Sequence, residues 1–195
     1  MNFLAHLLLG GEDAEAQVGS ILGDFLKGSI PPQLPPAVAE SVRLHRAVDA
    51  FCDGHPAFQC SRRRIQGPRR RFAGIVVDLS YDHLLARHWQ RWCEQPLDDY
   101  ARRAYARLLA HRRHQPEAMQ RVVSAMAAGD WLGSYRSLAA LATALDRIAL
   151  RFRRPTPLPG AVADVERAYA GLEQDFLEFF PAVLEHSRRR RAGRR

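Results

Sequence analysis

The chain has 195 residues, 47% of them hydrophobic, which is enough for one domain with a sizeable core and too apolar for a disordered polyelectrolyte. Its net charge of +8, from 29 Lys and Arg against 21 Asp and Glu, implies an acidic partner: nucleic acid, an anionic membrane or an acidic protein. Three cysteines, Cys52, Cys60 and Cys93, exclude a disulfide framework or a Cys-rich zinc site and suit a reducing, cytoplasmic setting.

The opening "MNFLAHLLLGGED" lacks the basic n-region and cleavage site of a signal peptide, and its apolar run is too short to span a bilayer. Asn2 is placed to cap a short helix through Leu9. Asp13 can cap a second helix through Leu26, with Gly28 as its stop. After the rigid "SIPPQLPP" a third helix is expected from Ala37 to Cys52, followed by a loop or short helix carrying "SRRRIQGPRRR". The segment from Phe72 to Trp92 is expected as one long helix. Its trio Ile75, Val76 and Val77 would suit a strand, but the apolar and polar spacing fits a helix better. Further helices are expected at 98–112, 116–128, 135–151 and 161–185, with Trp131 and Tyr135 as core or lid residues. The expectation is an all-α, single-domain helical bundle over 1–187, followed by a mobile basic tail, 188–195.

Costly polar groups interrupt the apolar helices of the first half. Asp78 and Asp82 lie four apart, on one helix face, with His83 beside them; His45 and Asp49 form a second such pair. Asp24 sits in "ILGDFLKG", three residues before Lys27, the only lysine, and His6 repeats the theme in the first helix. Each has a bland reading: Asp78 and Asp82 could pair with Arg69–Arg71 or Arg87, and a lone His is more often structural. His88, His111, His114 and His186 are assigned no role. As an ensemble, buried carboxylates and imidazoles need a common partner. A set of nitrogen and carboxylate ligands without thiolate favours Mn²⁺, Mg²⁺ or Fe²⁺. Phosphoester hydrolysis is the chemistry such a site most naturally serves.

Four stretches, "MNFLAHLLL", "GDFLKG", "LHRAVDAFCDGHP" and "GIVVDLSYDHLLARHW", together resemble the acyl carrier protein phosphodiesterases, from Met1 to about Trp89. Cys52 and Val48 depart from the residues expected there, Thr and Ile, without removing a polar group. The resemblance implies a fold distantly related to HD-domain metallohydrolases and dependence on a divalent cation, typically Mn²⁺. It implies a lipid-metabolic reaction that removes 4′-phosphopantetheine from a serine of holo acyl carrier protein. The metal ligands it implies are Asp24, His45, Asp49, Asp78, Asp82 and His83, with His6 a weaker member. Lys27 and Arg46 would meet phosphoryl charge, and His83 or His6 would protonate the leaving serine oxygen. Arg62, Arg63, Arg64, Arg69, Arg70 and Arg71 would dock the acidic carrier, with no nucleic acid or membrane partner. Two rival readings are an HD-type hydrolase acting on a nucleotide and a non-enzymatic, Arg-rich nucleic-acid binder. The second leaves the internal acids unexplained.

Overall fold

In the computed structural model, which describes residues 1–193, Asp13 caps the second helix as expected, its Oδ1 accepting from the Ala16 amide at 2.8 Å. Ten α-helices and no strand are present among the described residues. The first five are α1 (Phe3–Gly10), α2 (Ala14–Leu22), α3 (Pro36–Gly54), α4 (Pro56–Arg64) and α5 (Ala73–Arg87). The rest are α6 (Leu97–Ala110), α7 (Glu117–Ala128), α8 (Trp131–Ser134), α9 (Leu138–Ala149) and α10 (Val162–Ala192). No helix among the described residues is long and apolar enough to cross a membrane.

Three boundaries differ from expectation. The second helix stops at Leu22, and Gly23–Phe25 tighten into a turn held by Asp24 N to Ile21 O and Phe25 N to Leu22 O. The long helix ends at Arg87, and a 3₁₀ turn, Trp89–Arg91, takes its place. The last helix runs on to Ala192, so 188–192 are helical rather than a separate tail, with Arg189 Nε bonded to Glu185. Positions 194 and 195 of the expected tail lie outside the described residues.

Small residues set the closest packing. A Cβ at Gly19 would sit 2.4 Å from Val38 O and 2.6 Å from Ser41 Cβ, so only glycine lets α2 and α3 approach this far. Ser20 and Ser41 join hydroxyls across the same seam at 3.0 Å. Around the other flank, Phe176, Phe179 and Phe180 of α10 are fully buried with Tyr81 of α5. There Ser61 donates to Asp175 (2.9 Å), and its oxygen lies 2.9 Å from the Tyr81 hydroxyl. Near its C-terminal end α10 reaches back to α1, where Ser187 Oγ donates to Leu9 O at 2.6 Å. Thus α1, α3 and α5 are clamped side by side, and their inward polar residues are brought together.

Candidate functional site

His6 on α1 and His45 and Asp49 on α3 converge, with one ligand atom from each lying within 4.8 Å of the others. The two imidazoles stack, centroids 3.8 Å apart. His45 Nδ1 donates to Ser20 O at 2.8 Å, which leaves Nε2 as the inward nitrogen. That Nε2 lies 3.2 Å from Asp49 Oδ2 and 3.7 Å from Asp24 Oδ1. A lone pair facing carboxylate oxygens is repulsive unless a proton or a cation sits between them. His6 Nε2 is 3.1 Å from Asp49 Oδ1 but buried and without an aligned hydrogen-bond partner. The Met1 α-ammonium lies alongside, 2.8 Å from Asp78 Oδ1 and 3.6 Å from Asp49 Oδ1. These carboxylates thus already hold one cation, and the orphaned His6 nitrogen stands beside them. This donor set fits a divalent ion.

The electrostatics differ from residue to residue. Burial, with the nearby His45, lowers the His6 pKa to about 3, so its ring is neutral at neutral pH. Burial opposes protonation of His45, but the Asp49 and Asp24 carboxylates raise its pKa overall. Burial would raise Asp49, yet the two histidines hold it well below the usual carboxylate range. Asp24 is raised by burial. Asp78 is raised by burial against the pull of the Met1 ammonium. That ammonium, despite burial, is pushed up to about 12, chiefly by Asp78.

The structure does not bring every expected residue to this cluster. Asp82 is fully buried and caps α1 from a distance: its Oδ2 accepts from Leu4 N (2.7 Å) and its Oδ1 from Ala5 N (3.2 Å). Both oxygens are spent on first-turn amides that Asn2, at the N-cap, leaves unbonded. His83 points elsewhere too, donating from Nδ1 to Tyr135 O (2.7 Å), with Nε2 3.0 Å from the Tyr169 hydroxyl. With both nitrogens engaged it is placed neither as a ligand nor as the acid. Arg46 donates to Leu26 O at 3.1 Å, pinning the turn after α2. Lys27 is exposed on that turn.

The arginine clusters divide. Arg64 is bonded to both oxygens of Asp175, at 2.8 and 3.1 Å, and lies over Gly171. Arg69 bonds Asp164 and the carbonyls of Pro157 and Pro159. These two serve the fold. Arg62 lies 3.4 Å from Asp53, whereas Arg63, Arg70 and Arg71 are exposed.

Sequence reasoning missed Gly23. A Cβ there would fall 2.3 Å from His45 Cγ, so the bare backbone is what seats the imidazole. The "GD" of the motif carried that signal, since a glycine just before a ligand acid permits close approach. Asp24, Asp78 and Met1 also line a cavity of about 270 Å³ with Arg151 on its wall.

A family model described as acyl carrier protein phosphodiesterase matches residues 1–183. Similar proteins carrying that same name come from Serratia proteamaculans (strain 568), 33% identical over 96% of this chain and 98% of the relative, and from Yersinia pestis, 31% identical over 96% and 97%. Another, from Escherichia coli O6:H1, is 29% identical over 97% and 99%. No solved structure matches the chain.

Proposed function

The chain belongs to the acyl carrier protein phosphodiesterase family, and from that membership we propose that it removes 4′-phosphopantetheine from holo acyl carrier protein by metal-assisted hydrolysis. The phosphodiesterase activity on acyl carrier protein follows from the family; the metal and its ligands are our reading. The observation that carries it is the convergence of His6, His45 and Asp49, with a buried His6 nitrogen left unsatisfied. His6, His45 and Asp49 would hold the ion, with Asp24 and Asp78 beside them. When bound, a divalent cation, Mn²⁺ by preference and Mg²⁺ or Fe²⁺ as alternatives, supplies Lewis-acid polarisation of a phosphoryl oxygen and a bound water of lowered pKa.

The protein's own groups prepare that chemistry. The Ser20 carbonyl fixes the His45 tautomer, and Gly23 gives the ring its seat. Low basicity keeps the His6 lone pair available. Asp49 stays ionised and supplies negative charge. A distant HD-type ancestry remains part of the proposal, supported by the all-helical architecture and by paired His and Asp on inward helix faces.

The test incubates the protein with holo acyl carrier protein and Mn²⁺ and follows the carrier's mass. Loss of phosphopantetheine is expected, abolished by EDTA. His45→Ala should lower the rate by more than about 100-fold, the upper end of what disturbing a ligand's supporting bond costs. Mn²⁺ should also raise the thermal midpoint of the wild type by ligand linkage, and not that of His45→Ala. An unchanged carrier beside turnover of a nucleotide would sink this reading in favour of a nucleotide hydrolase.

A further inference from the structure

The 270 Å³ cavity beside the cation cluster does not end there. It shares Asn2, Phe3, Leu79, Ile148 and Arg151 with a second cavity, of about 230 Å³. The far wall of the second is built by α8, the residue that follows it and α9, from Trp131, Tyr135, Ala140, Ala144 and Arg147. One end of this continuous cleft is acidic, at Asp24 and Asp78; the other is an apolar slot. Individually each volume is small, but as one cleft they fall within the range of about 300–1,000 Å³ typical of small-molecule sites.

The slot has features of a built site. Small side chains at Ala140 and Ala144 leave room on the α9 face. Trp131 presents its ring, held by the Arg147 guanidinium 5.5 Å from the ring centroid. Tyr135 is fixed behind it, its hydroxyl accepting from Asn2 Nδ2 at 2.9 Å. Arg151, in the turn that follows α9, lines both cavities and so marks their junction. A guanidinium at that point faces the place where an anionic phosphodiester must sit if its neighbour is the cation cluster.

The two sides of the substrate differ in shape, and this selects the occupant. On one side of the phosphorus is a folded protein, too large for the cleft. On the other is a slender chain that starts at a gem-dimethyl carbon and a hydroxyl and runs through two amides to a thiol. We propose that the α8–α9 slot binds the pantetheine arm, with Arg151 at the junction contacting the phosphoryl group and Trp131, Ala140 and Ala144 lining the path of the arm. This rests on the phosphodiesterase reading above, and it adds the residues that select the substrate. The carrier domain stays at the mouth, and the apolar wall excludes water from the arm's length.

The experiment measures steady-state kinetics on holo acyl carrier protein with Mn²⁺, and inhibition by free 4′-phosphopantetheine. The proteins are the wild type, Ala144→Phe, which fills the slot, and Arg151→Gln on its rim. Far-UV circular dichroism and the thermal midpoint check that each variant is folded. Ala144→Phe should raise KM and the inhibition constant together by at least ~10-fold, with a smaller change in kcat. Arg151→Gln should weaken inhibition by 4′-phosphopantetheine more than inhibition by pantetheine lacking the phosphate. If wild type cleaves the holo carrier and both variants match it in KM and inhibition, the slot assignment is overturned while the function stands. If wild type leaves the holo carrier intact but hydrolyses bis(p-nitrophenyl) phosphate, the function itself fails and takes this inference with it.

Discussion

Among single residues, His6 shows most clearly how burial prepares chemistry. Its folded pKa of about 3 lies below the ordinary 6.5, so the folded protein binds fewer protons than the unfolded chain between those values. Stability contributed by neutral His6 is therefore complete above pH 6.5 and is lost as pH falls toward 3. Each unit of difference corresponds to roughly 1.4 kcal/mol. Metal-free urea denaturation across that window should show a steeper decline for wild type than for His6→Gln, which cannot titrate. His45, with a raised pKa, acts in the opposite sense, so the comparison of these two curves isolates His6. Parallel curves would mean that His6 is protonated in the folded state. Sequence alone placed His6 only as a weak member of the cluster, because nothing in "FLAHLL" reveals that α1 lies against α3. Conversely, Asp82 and His83 read as ligands because their cost in an apolar helix was visible while their partners, Leu4, Ala5, Tyr135 and Tyr169, were far away in the chain.

Among elements, α1 depends on α5. A helix of eight residues is too short to be stable alone, and its N-cap Asn2 gives its side chain to Tyr135 instead. Asp82 replaces the missing cap. Leaving buried amides unpaired costs about 1–3 kcal/mol each, so with two amides left open Asp82→Ala should destabilise the protein by roughly 2–6 kcal/mol in urea denaturation. The loss should be the same with EDTA as with Mn²⁺, and smaller for Asp82→Asn. A deficit that appears only when Mn²⁺ is present would instead return Asp82 to the ligand set. Helix existence was legible from periodicity for all the long elements. Helix ends were not: α2 stops where Gly23 must admit the His45 ring, a requirement set by another helix.

For the molecule as a whole, composition cannot separate the arginines that serve the fold from those that stay exposed. Arg64 and Arg69 neutralise Asp175 and Asp164, acids that are nine-tenths buried. Arg63, Arg70 and Arg71 remain exposed, and we propose them as the face that docks an acidic carrier. Reversing these three to Glu should raise KM for holo acyl carrier protein at low salt. The difference should shrink as ionic strength shortens the screening length below about 10 Å. Arg64→Ala should leave KM alone and lower stability by roughly 2–3 kcal/mol, the worth of charge-assisted bonds. A KM unmoved by the triple reversal would place carrier docking on another face. The all-α class was readable because one period runs through the whole chain. The cleft's second wall was not, since Trp131, Arg147 and Arg151 acquire meaning only once α9 folds beside α5.

The Ser187–Leu9 bond joins the last helix to the first across 178 positions. A ribosome therefore delivers His6, His45 and Asp49 early, while the helix that braces α1 comes last. Through most of its synthesis a nascent chain has the cluster's side chains but not the support that fixes their spacing.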